Sequence, residues 1–358
     1  MRSFVIEYIK RNNEEDTLDN EVELELHVNL WNFKKLETTF DFGFMVDNID
    51  NIENIILYVP FKVKKVEDLG NNIIEKNQIL VDAIFNERCE TIKFYPKRLK
   101  VIKKGNYDTR DRRSADIDNT KEKDFILYSL SNNQITFENF YNYARIKLNV
   151  ENILSKEEQR NHPELDNKKY YFRIRFFPDS NEITMIKREN EKINIFQDAS
   201  LRTTEIIDFR INDLRSCPEN LREEFLRTPR FTIKKIHYLI MRSSTDEYIT
   251  IGDTEVKGRL LEKEIWKNYI DIEENDMIAY HIIKKGDGTF LNLSRFKYPL
   301  NVGERLFWYI FIAIIFSLVS SYIYDKISEL FFWQIIFLMI TYYIKIFQIK
   351  RGRLLWII

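Results

Sequence analysis

The side chains that most often carry enzyme chemistry are scattered along this 358-residue chain. Its four histidines, His27, His162, His237 and His281, include no pair at the short spacing of a metal-binding motif. The chain contains no glycine-rich phosphate loop, no dinucleotide-binding fingerprint and no G-x-S-x-G turn. Cys89 has no neighbouring histidine in the sequence, so a catalytic thiol is unsupported. The sequence therefore predicts a protein that is not an enzyme and has no metal and no cofactor.

Two short fragments resemble parts of nuclease sites. PELDNKK contains Asp166 and Lys168, and GDTEVK contains Asp253, Glu255 and Lys257. Carboxylates beside a lysine can hold a divalent ion and polarise a phosphodiester. Such triplets also arise by chance in a chain rich in these residue types, and both fragments fall where turns are expected. A membrane-tethered nuclease remains open only through these residues.

Basic side chains form two better candidates for a binding site. Residues 97–113 hold eight basic residues against two acidic ones: Lys97, Arg98, Lys100, Lys103, Lys104, Arg110, Arg112 and Arg113. In the strand-like segment KKYYFRIRFF, one face carries Lys169, Tyr171, Arg173 and Arg175. Arginine binds phosphate at two points and tyrosine can stack on a base, so these residues suit a nucleotide or oligonucleotide. The alternatives are a solvated strand face with a charged linker, or contact with anionic lipid.

The segments that must position these residues alternate with the period of β-strands. Residues 22–30 place apolar side chains on one face and, on the other, Glu23, Glu25, His27 and Asn29. Many similar short runs follow, which predicts a mainly β body of sandwich or barrel type. Short helices are expected around VENILSKEEQR, PENLREEFL and LLEKEIWKNYI.

Domain boundaries follow from composition. Residues 105–124 are charged and lack periodicity, which indicates either a long loop or a linker, and we favour a linker. It would separate a β-rich subdomain at 1–104 from a second one, with short helices, at 125–300. The formal net charge of −1 gives no bulk electrostatic argument for nucleic-acid binding. Two distant cysteines fit a reducing compartment, and the N-terminal segment does not resemble a signal peptide.

The C-terminal region is apolar enough to cross a membrane. Residues 306–324 carry no charge, and neither do residues 330–344, a run that can extend to 349 if Lys345 reaches the headgroups. The five residues DKISE between them predict an antiparallel two-helix transmembrane hairpin at 306–349, followed by an interfacial tail at 350–358. The distribution of basic residues places both termini in the cytoplasm, at the cell inner membrane. The alternative is a buried helical hairpin within a soluble core.

Two stripes indicate that the hairpin does more than anchor the chain. Small residues recur along the first helix, namely Ala313, Ser317, Ser320 and Ser321. Polar residues line one side of the second helix, namely Gln334, Thr341, Lys345 and Gln348. Polar groups at membrane depth must face protein or water. They would either line the pore of a homo-oligomer or hold the two helices of the hairpin together.

The order of these parts resembles that of membrane effectors in bacterial antiphage defence, of the CBASS and Hailong types. The resemblance covers a cytosolic body followed by the hairpin at 306–349, and no diagnostic motif. It implies a sensor whose nucleotide signal, made by a partner nucleotidyltransferase, controls a pore or a membrane-disrupting hairpin in antiviral defence. The alternative function is a tail-anchored binding or scaffold protein whose hairpin is a passive anchor in membrane lipid.

Overall fold

A computed structural model describes most of the chain. The described residues are 1–11, 21–33, 37–76, 78–94, 97–104, 124–151, 153, 169–179, 183–190, 202–249, 255–267, 269–271, 276–286, 288–299 and 302–354. The chain divides into two compact units, one formed by Met1–Lys192 with Arg202–Tyr298 and the other by Ile193–Leu201 with Pro299–Ile358.

The first unit is mainly β, as the alternating pattern predicts. Its strands are β1 (Val5–Lys10), β2 (Glu23–Trp31), β3 (Thr39–Val46), β4 (Ile52–Val59), β5 (Val63–Asp68), β6 (Cys89–Phe94), β7 (Arg98–Lys103), β8 (Phe125–Tyr128), β9 (Ile135–Asn139), β10 (Ala144–Asn149), β11 (Tyr170–Pro178), β12 (Ile186–Asn190), β13 (Arg202–Ile211), β14 (Thr232–Ser243), β15 (Glu247–Ile249), β16 (Lys257–Leu261), β17 (Met277–Lys285) and β18 (Phe290–Pro299). Its helices are α1 (Gly70–Glu75), α2 (Gln78–Phe85), α3 (Glu219–Arg227) and α4 (Lys263–Trp266).

A ten-stranded sheet forms the centre of this unit. Its order is β16-β17-β14-β2-β3-β11-β8-β7-β6, with β5 also paired to β11. Two four-stranded sheets accompany it, with the orders β1-β4-β10-β9 and β12-β13-β18-β15. Strands that are distant in sequence pair directly. For example, β2 runs parallel to β14, with His27 opposite His237.

The linker predicted at 105–124 does not separate two β subdomains. Strands β7 and β8 flank it and pair antiparallel in the ten-stranded sheet, with Arg98 opposite Tyr128. The segment therefore connects two neighbouring strands, while residues 105–123 themselves lie outside the described part of the chain. The prediction failed because strands pair over long distances in the sequence. Strands from before and after residues 105–124 are interleaved in one sheet, so a domain boundary there would divide that sheet.

One face of the large sheet packs into an aromatic core shared by all three sheets. Phe4 of the N-terminal segment lies against Phe42 of β3 and Phe209 of β13, at ring-centroid distances of 5.1 and 5.2 Å. The alternation in β2 and β3 supplies the apolar face that the sequence predicts, including the fully buried Leu26 and Phe44.

The other face of the large sheet is covered by helices α1, α2 and α4. Their side chains form a second apolar cluster with Trp31, Met45 and Tyr171 from the strands. Helices α3 and α4 fall at two of the predicted helical segments, whereas α1 and α2 lie where no helix is expected from the pattern. These helices bury His27 and Asn29 on the polar face of β2, whereas Glu23 and Glu25 remain partly exposed.

The second unit contains one long helix, α5 (Val302–Leu354), and the two-helix hairpin expected at 306–349 stays a prediction. Its stretch Leu306–Ile346 is long and apolar enough to cross a membrane. The DKISE segment continues the helix because it contains no glycine or proline. Lys326 also pairs with Glu329 at 2.8 Å, and the Ser328 hydroxyl donates to the Asp325 carbonyl at 2.9 Å. Each contact spans one helical turn.

Candidate functional site

The predicted ligand-binding face of β11 is buried and largely occupied by the protein itself. Tyr171, Arg173 and Arg175 do share one face, but each is at most 6% exposed. Arg175 forms a bidentate ion pair with Asp41, in which Nε lies 2.6 Å from Oδ1 and Nη2 lies 2.9 Å from Oδ2. Trp31 Nε1 donates to the same carboxylate at 2.7 Å. Arg175 therefore serves a buried ion pair and has no guanidinium edge directed to solvent.

Arg173 lies beside this pair. Its Nε donates to the Tyr269 hydroxyl at 2.6 Å and its Nη1 to the Tyr171 hydroxyl at 2.7 Å. The Tyr269 hydroxyl in turn donates to Asp41 at 2.8 Å. Burial by itself raises the pKa of Asp41, but the charges of Arg175 and Arg173 outweigh it and hold that pKa below its ordinary value. Two arginines thus share one buried carboxylate, leaving one excess positive charge beneath the sheet face.

The basic residues in and next to β7 do not form one cluster, because their side chains have different partners. Lys97 bonds to the Ser131 hydroxyl, and buried Arg98 donates to the Ile153 carbonyl. Lys100 pairs with Asp124 at 3.9 Å, and Lys104 with Glu90. Lys169, which immediately precedes β11, pairs with Asp47 at 3.5 Å. The remaining members of the predicted site, Arg110, Arg112 and Arg113, lie outside the described residues.

Two of the predicted residues, Lys103 and Arg173, meet at a cavity of about 390 Å³. The cavity lies between the polar face of the large sheet and the C-terminal end of α2. Its polar and charged lining consists of Glu25, His27, Asn29, Asn86, Glu87, Lys103, Arg173, Lys235, His237, Lys257, Arg259 and His281. We call this cavity the basic pocket.

Strand register brings these residues together. Across the sheet, Arg173 lies opposite Gly43, Gly43 opposite His27, and His27 opposite His237. On the next strands, Leu239 lies opposite His281, and His281 opposite Lys257. Side chains at facing positions of paired strands point to the same face. Polar residues from five strands therefore converge on one patch.

Gly43 is required for this arrangement. A Cβ atom at this position would lie 2.0 Å from the Tyr171 hydroxyl oxygen. The absent side chain lets the Tyr171 ring lie across β3 and reach Arg173. The ring also contacts His27, with centroids 5.5 Å apart.

Three histidines and one glutamate form a connected cluster in the basic pocket. Glu25 Oε1 lies 3.1 Å from His237 Nε2 and 3.4 Å from His27 Nε2. The opposite ring nitrogen of His237, Nδ1, lies 2.9 Å from His281 Nε2. The sequence did not group these residues, because more than 200 positions separate Glu25 from His237. The available signal in the sequence was the polar alternation of β2, which places Glu25 and His27 on the same face of that strand.

Burial and hydrogen bonding set the charges in this cluster. Burial lowers the pKa of His27 to about 3, and burial with the neighbouring His237 lowers the pKa of His281 to about 4. Burial would raise the pKa of Glu25, but hydrogen bonds from His237 and His27 reverse the shift and lower it well below its ordinary range. Near neutral pH, His27 and His281 are therefore neutral, while Glu25 is a carboxylate.

The basic pocket carries an excess of positive charge. Five basic side chains line the cavity against two lining carboxylates, while Glu255 pairs with Lys257 at 3.4 Å and Asp41 lies 3.8 Å from Arg173 just outside the lining. Each of the two lining carboxylates has a lysine nearby, with Lys235 Nζ 3.9 Å from Glu25 and Lys103 Nζ 3.9 Å from Glu87. A second, larger cavity of about 710 Å³ along β5 and β9 has a different lining, in which Lys65 is accompanied by Glu67 and Asp68. Positive charge is concentrated in the basic pocket and not in the larger cavity.

The nuclease-like fragments form no cluster among the described residues. Glu255 pairs with Lys257 at 3.4 Å, and both side chains are largely exposed. Asp166, Lys168 and Asp253 lie outside the described part of the chain. Cys89 and Cys217 are buried, and burial raises the pKa of the Cys89 thiol to about 11. Cys89 is therefore a thiol, not a thiolate, at neutral pH.

The stripe residues of the membrane segment all belong to helix α5. The small stripe, Ala313, Ser317, Ser320 and Ser321, has exposed side chains within that unit, as do Gln334, Thr341 and Lys345. The Thr341 hydroxyl donates to the carbonyls of Phe337 and Leu338, at 2.9 Å each. The side chain of Gln348 lies outside the described side chains. Apolar side chains such as Leu318 and Phe337 are more than 60% exposed, which is unfavourable in water.

Comparison with known proteins gives no further assignment. No protein-family model matches this chain, and no curated protein sequence is detectably similar to it.

Proposed function

We propose that this protein is a membrane-anchored receptor whose β-rich body binds a phosphate-bearing ligand, a nucleotide or oligonucleotide, in the basic pocket. The observation that carries the proposal is the concentration of Lys103, Arg173, Lys235, Lys257 and Arg259 around one cavity with only two carboxylates. A low-dielectric recess lined by charges of one sign attracts ligands of the opposite sign.

The shape and chemistry of the basic pocket favour this ligand class. A volume of about 390 Å³ falls within the range of small-molecule sites. Lys235 is partly exposed and Lys257 largely exposed, so both can reach a phosphate, while buried Arg173 adds positive charge from below. Neutral His27 and Phe85, whose ring centroids are 5.7 Å apart, add two rings to the lining beside the cations.

Helix α5 supplies the membrane-embedded part in this proposal. A straight helix over Leu306–Ile346 would be about 60 Å long, roughly twice the hydrocarbon core of a bilayer. It would also place Asp325 and Lys326 near its middle. We therefore propose that the helix breaks at residues 325–329 in the membrane and forms the two-helix hairpin, with both termini in the cytoplasm.

The hairpin acts on the membrane in response to the ligand. Small residues in the first half and Gln334 and Lys345 in the second half suit packing between copies in a homo-oligomeric pore. The order of body and membrane segment resembles that of the antiphage membrane effectors, and a nucleotide from a partner nucleotidyltransferase would be the signal. A passive anchor is the second candidate, supported by Thr341, whose hydroxyl is already satisfied by carbonyls of its own helix.

Calorimetric titration of the full-length protein in detergent tests the ligand. We expect one member of a panel of linear and cyclic nucleotides, short oligonucleotides and inorganic triphosphate to bind, with affinity that falls as salt rises. Lys235→Gln removes one charged contact and should weaken binding about tenfold. The matched control is Lys234→Gln, because Lys234 is adjacent, pairs with Glu23 at 2.7 Å and does not line the pocket.

Equal effects of Lys235→Gln and Lys234→Gln, or no binding by any member of the panel, would contradict the receptor function. A separate measurement tests the membrane response. Expression in bacteria should depolarise the cell membrane when ligand is present, and truncation after Glu304 should abolish the effect. If an unrelated anchor in place of α5 preserved function, the passive-anchor candidate would replace the pore.

A further inference from the structure

We propose that Glu25, His27 and His237 form a binding site for a divalent transition-metal ion of the zinc class, at the floor of the basic pocket. One potential ligand atom from each residue lies within 4.8 Å of the other two. The set of two imidazoles and one carboxylate is a known zinc donor set, which leaves a fourth position for water or another ligand. Metal binding here does not depend on the nucleotide proposed above.

The distances fit tetrahedral coordination. Ligand atoms about 2.0–2.1 Å from a zinc ion stand about 3.3 Å apart. Glu25 Oε1 lies 3.1 Å from His237 Nε2 and 3.4 Å from His27 Nε2. Two of the three edges between the protein ligand atoms are therefore already close to their required lengths, and the third, between the two histidines, is within 4.8 Å.

The position of His281 supports the same assignment. Its Nε2 lies 2.9 Å from His237 Nδ1, the ring nitrogen that would not bind the metal. Metal-bound histidines commonly donate that second N–H to a fixed acceptor, which orients the ring and sets its tautomer. A bound metal would replace the Nε2 proton of His237 that Glu25 accepts, and the ring would then keep its Nδ1 proton and donate it to His281.

Nearby positive charge determines what completes the site. Lys235 Nζ lies 3.9 Å from Glu25 Oε1, and Lys103 and Arg173 line the same pocket. These charges oppose a bare dication, and an anion at the fourth position would offset them. Metal and anion should therefore increase each other's affinity by the same factor, as linkage requires.

Titration of the metal-free full-length protein in detergent with Co²⁺ and Zn²⁺ tests the site. We expect one ion per chain, with the visible absorption bands of tetrahedral Co²⁺. Glu25→Gln and His237→Asn should each weaken binding at least 100-fold, and His281→Asn 10- to 100-fold. Glu23→Gln is the matched control on the same strand, because Glu23 pairs with Lys234 outside the cluster, and it should bind as the wild type does.

Absence of stoichiometric metal, or Glu25→Gln and His237→Asn variants that bind like the control, would overturn the proposal. If these variants do not fold, the EPR spectrum of the Cu²⁺-loaded wild type decides: nitrogen couplings from two imidazoles support the site, and fewer than two overturn it. Inorganic phosphate separates the two functions. Metal that binds without any effect of phosphate keeps the metal site, overturns the proposed coupling and counts against the receptor. Phosphate that binds to a protein unable to take up metal keeps the receptor and overturns the metal site.

Discussion

Arg175 and Asp41 form a two-point ion pair across strands β11 and β3, at 2.6 and 2.9 Å, in a region where both side chains are almost completely buried. The pair lies directly opposite in strand register. Trp31 and Tyr269 complete the hydrogen bonding of the carboxylate. An uncompensated charge is very costly where solvent is removed, so the pair must stay intact. Through its hydrogen bonds with Tyr269, it also links the segment after α4 to the large sheet.

Replacement of Asp41 by asparagine should strongly destabilise the body. Asp41→Asn leaves Arg173 and Arg175 buried without a counter-charge, and we expect a loss of about 3–5 kcal/mol in the free energy of unfolding. Denaturant titration of the full-length protein in detergent measures it. The control is Asp47→Asn, which removes a partly exposed partner of Lys169 and should cost under about 1 kcal/mol. Similar losses for the two variants would contradict the buried-pair interpretation.

Glu7 should make the protein less stable as pH rises from mildly acidic values. Burial raises the pKa of Glu7, although hydrogen bonds from Thr228 and Tyr58 partly oppose the shift. The folded protein thus holds this proton more tightly than the unfolded chain. The stabilisation is complete below about pH 4.5 and is lost as pH rises through the folded pKa.

Glu7→Gln should remove this dependence and leave a flatter stability profile. Thermal unfolding midpoints between about pH 4 and 8 provide the measurement, with Glu223→Gln on α3 as the control because Glu223 is exposed and paired only loosely with Arg227 at 3.9 Å. A wild-type profile unchanged by Glu7→Gln would show that the titration of Glu7 does not contribute.

Gly43→Ala should disrupt the floor of the basic pocket. The new methyl group would overlap the Tyr171 hydroxyl, so Tyr171 must move away from Arg173, at a cost of about 1–3 kcal/mol. Gly258→Ala is the control on β16, because its nearest neighbour would be 3.9 Å from the added atom. Unfolding experiments on both variants should show a loss for Gly43→Ala alone. Equal stability of the two would contradict the close approach.

A cysteine at Ser328 should report whether the apolar segment turns back in the membrane. If the hairpin forms, Ser328→Cys lies outside the cytoplasm and reacts with a membrane-impermeant maleimide in intact cells. Ser317→Cys, within the first apolar run, should stay protected. Native Cys89 and Cys217 are buried and should add no background. Labelling of a cysteine at the C-terminus, and not at 328, would contradict the proposed turn.

Local sequence pattern determined much of this protein. The period-two alternation in residues 22–30 predicted a strand with one apolar and one polar face, and the body is mainly β. Uncharged runs after residue 306 predicted a helical segment able to cross a membrane, and helix α5 contains such a stretch. These features depend on neighbouring residues, so they can be read directly from the order of side chains.

Only the tertiary structure decided which side chains meet. Pairing of β2 with β14 places His27 opposite His237, and the β14–β17 pair brings His281 within hydrogen-bonding distance. The same packing hides Arg175 against Asp41, although an alternating strand gives no indication of which face will be covered. Register and burial arise from contacts between segments far apart in the chain, where hydrophobic spacing within any one segment carries no information about its partner.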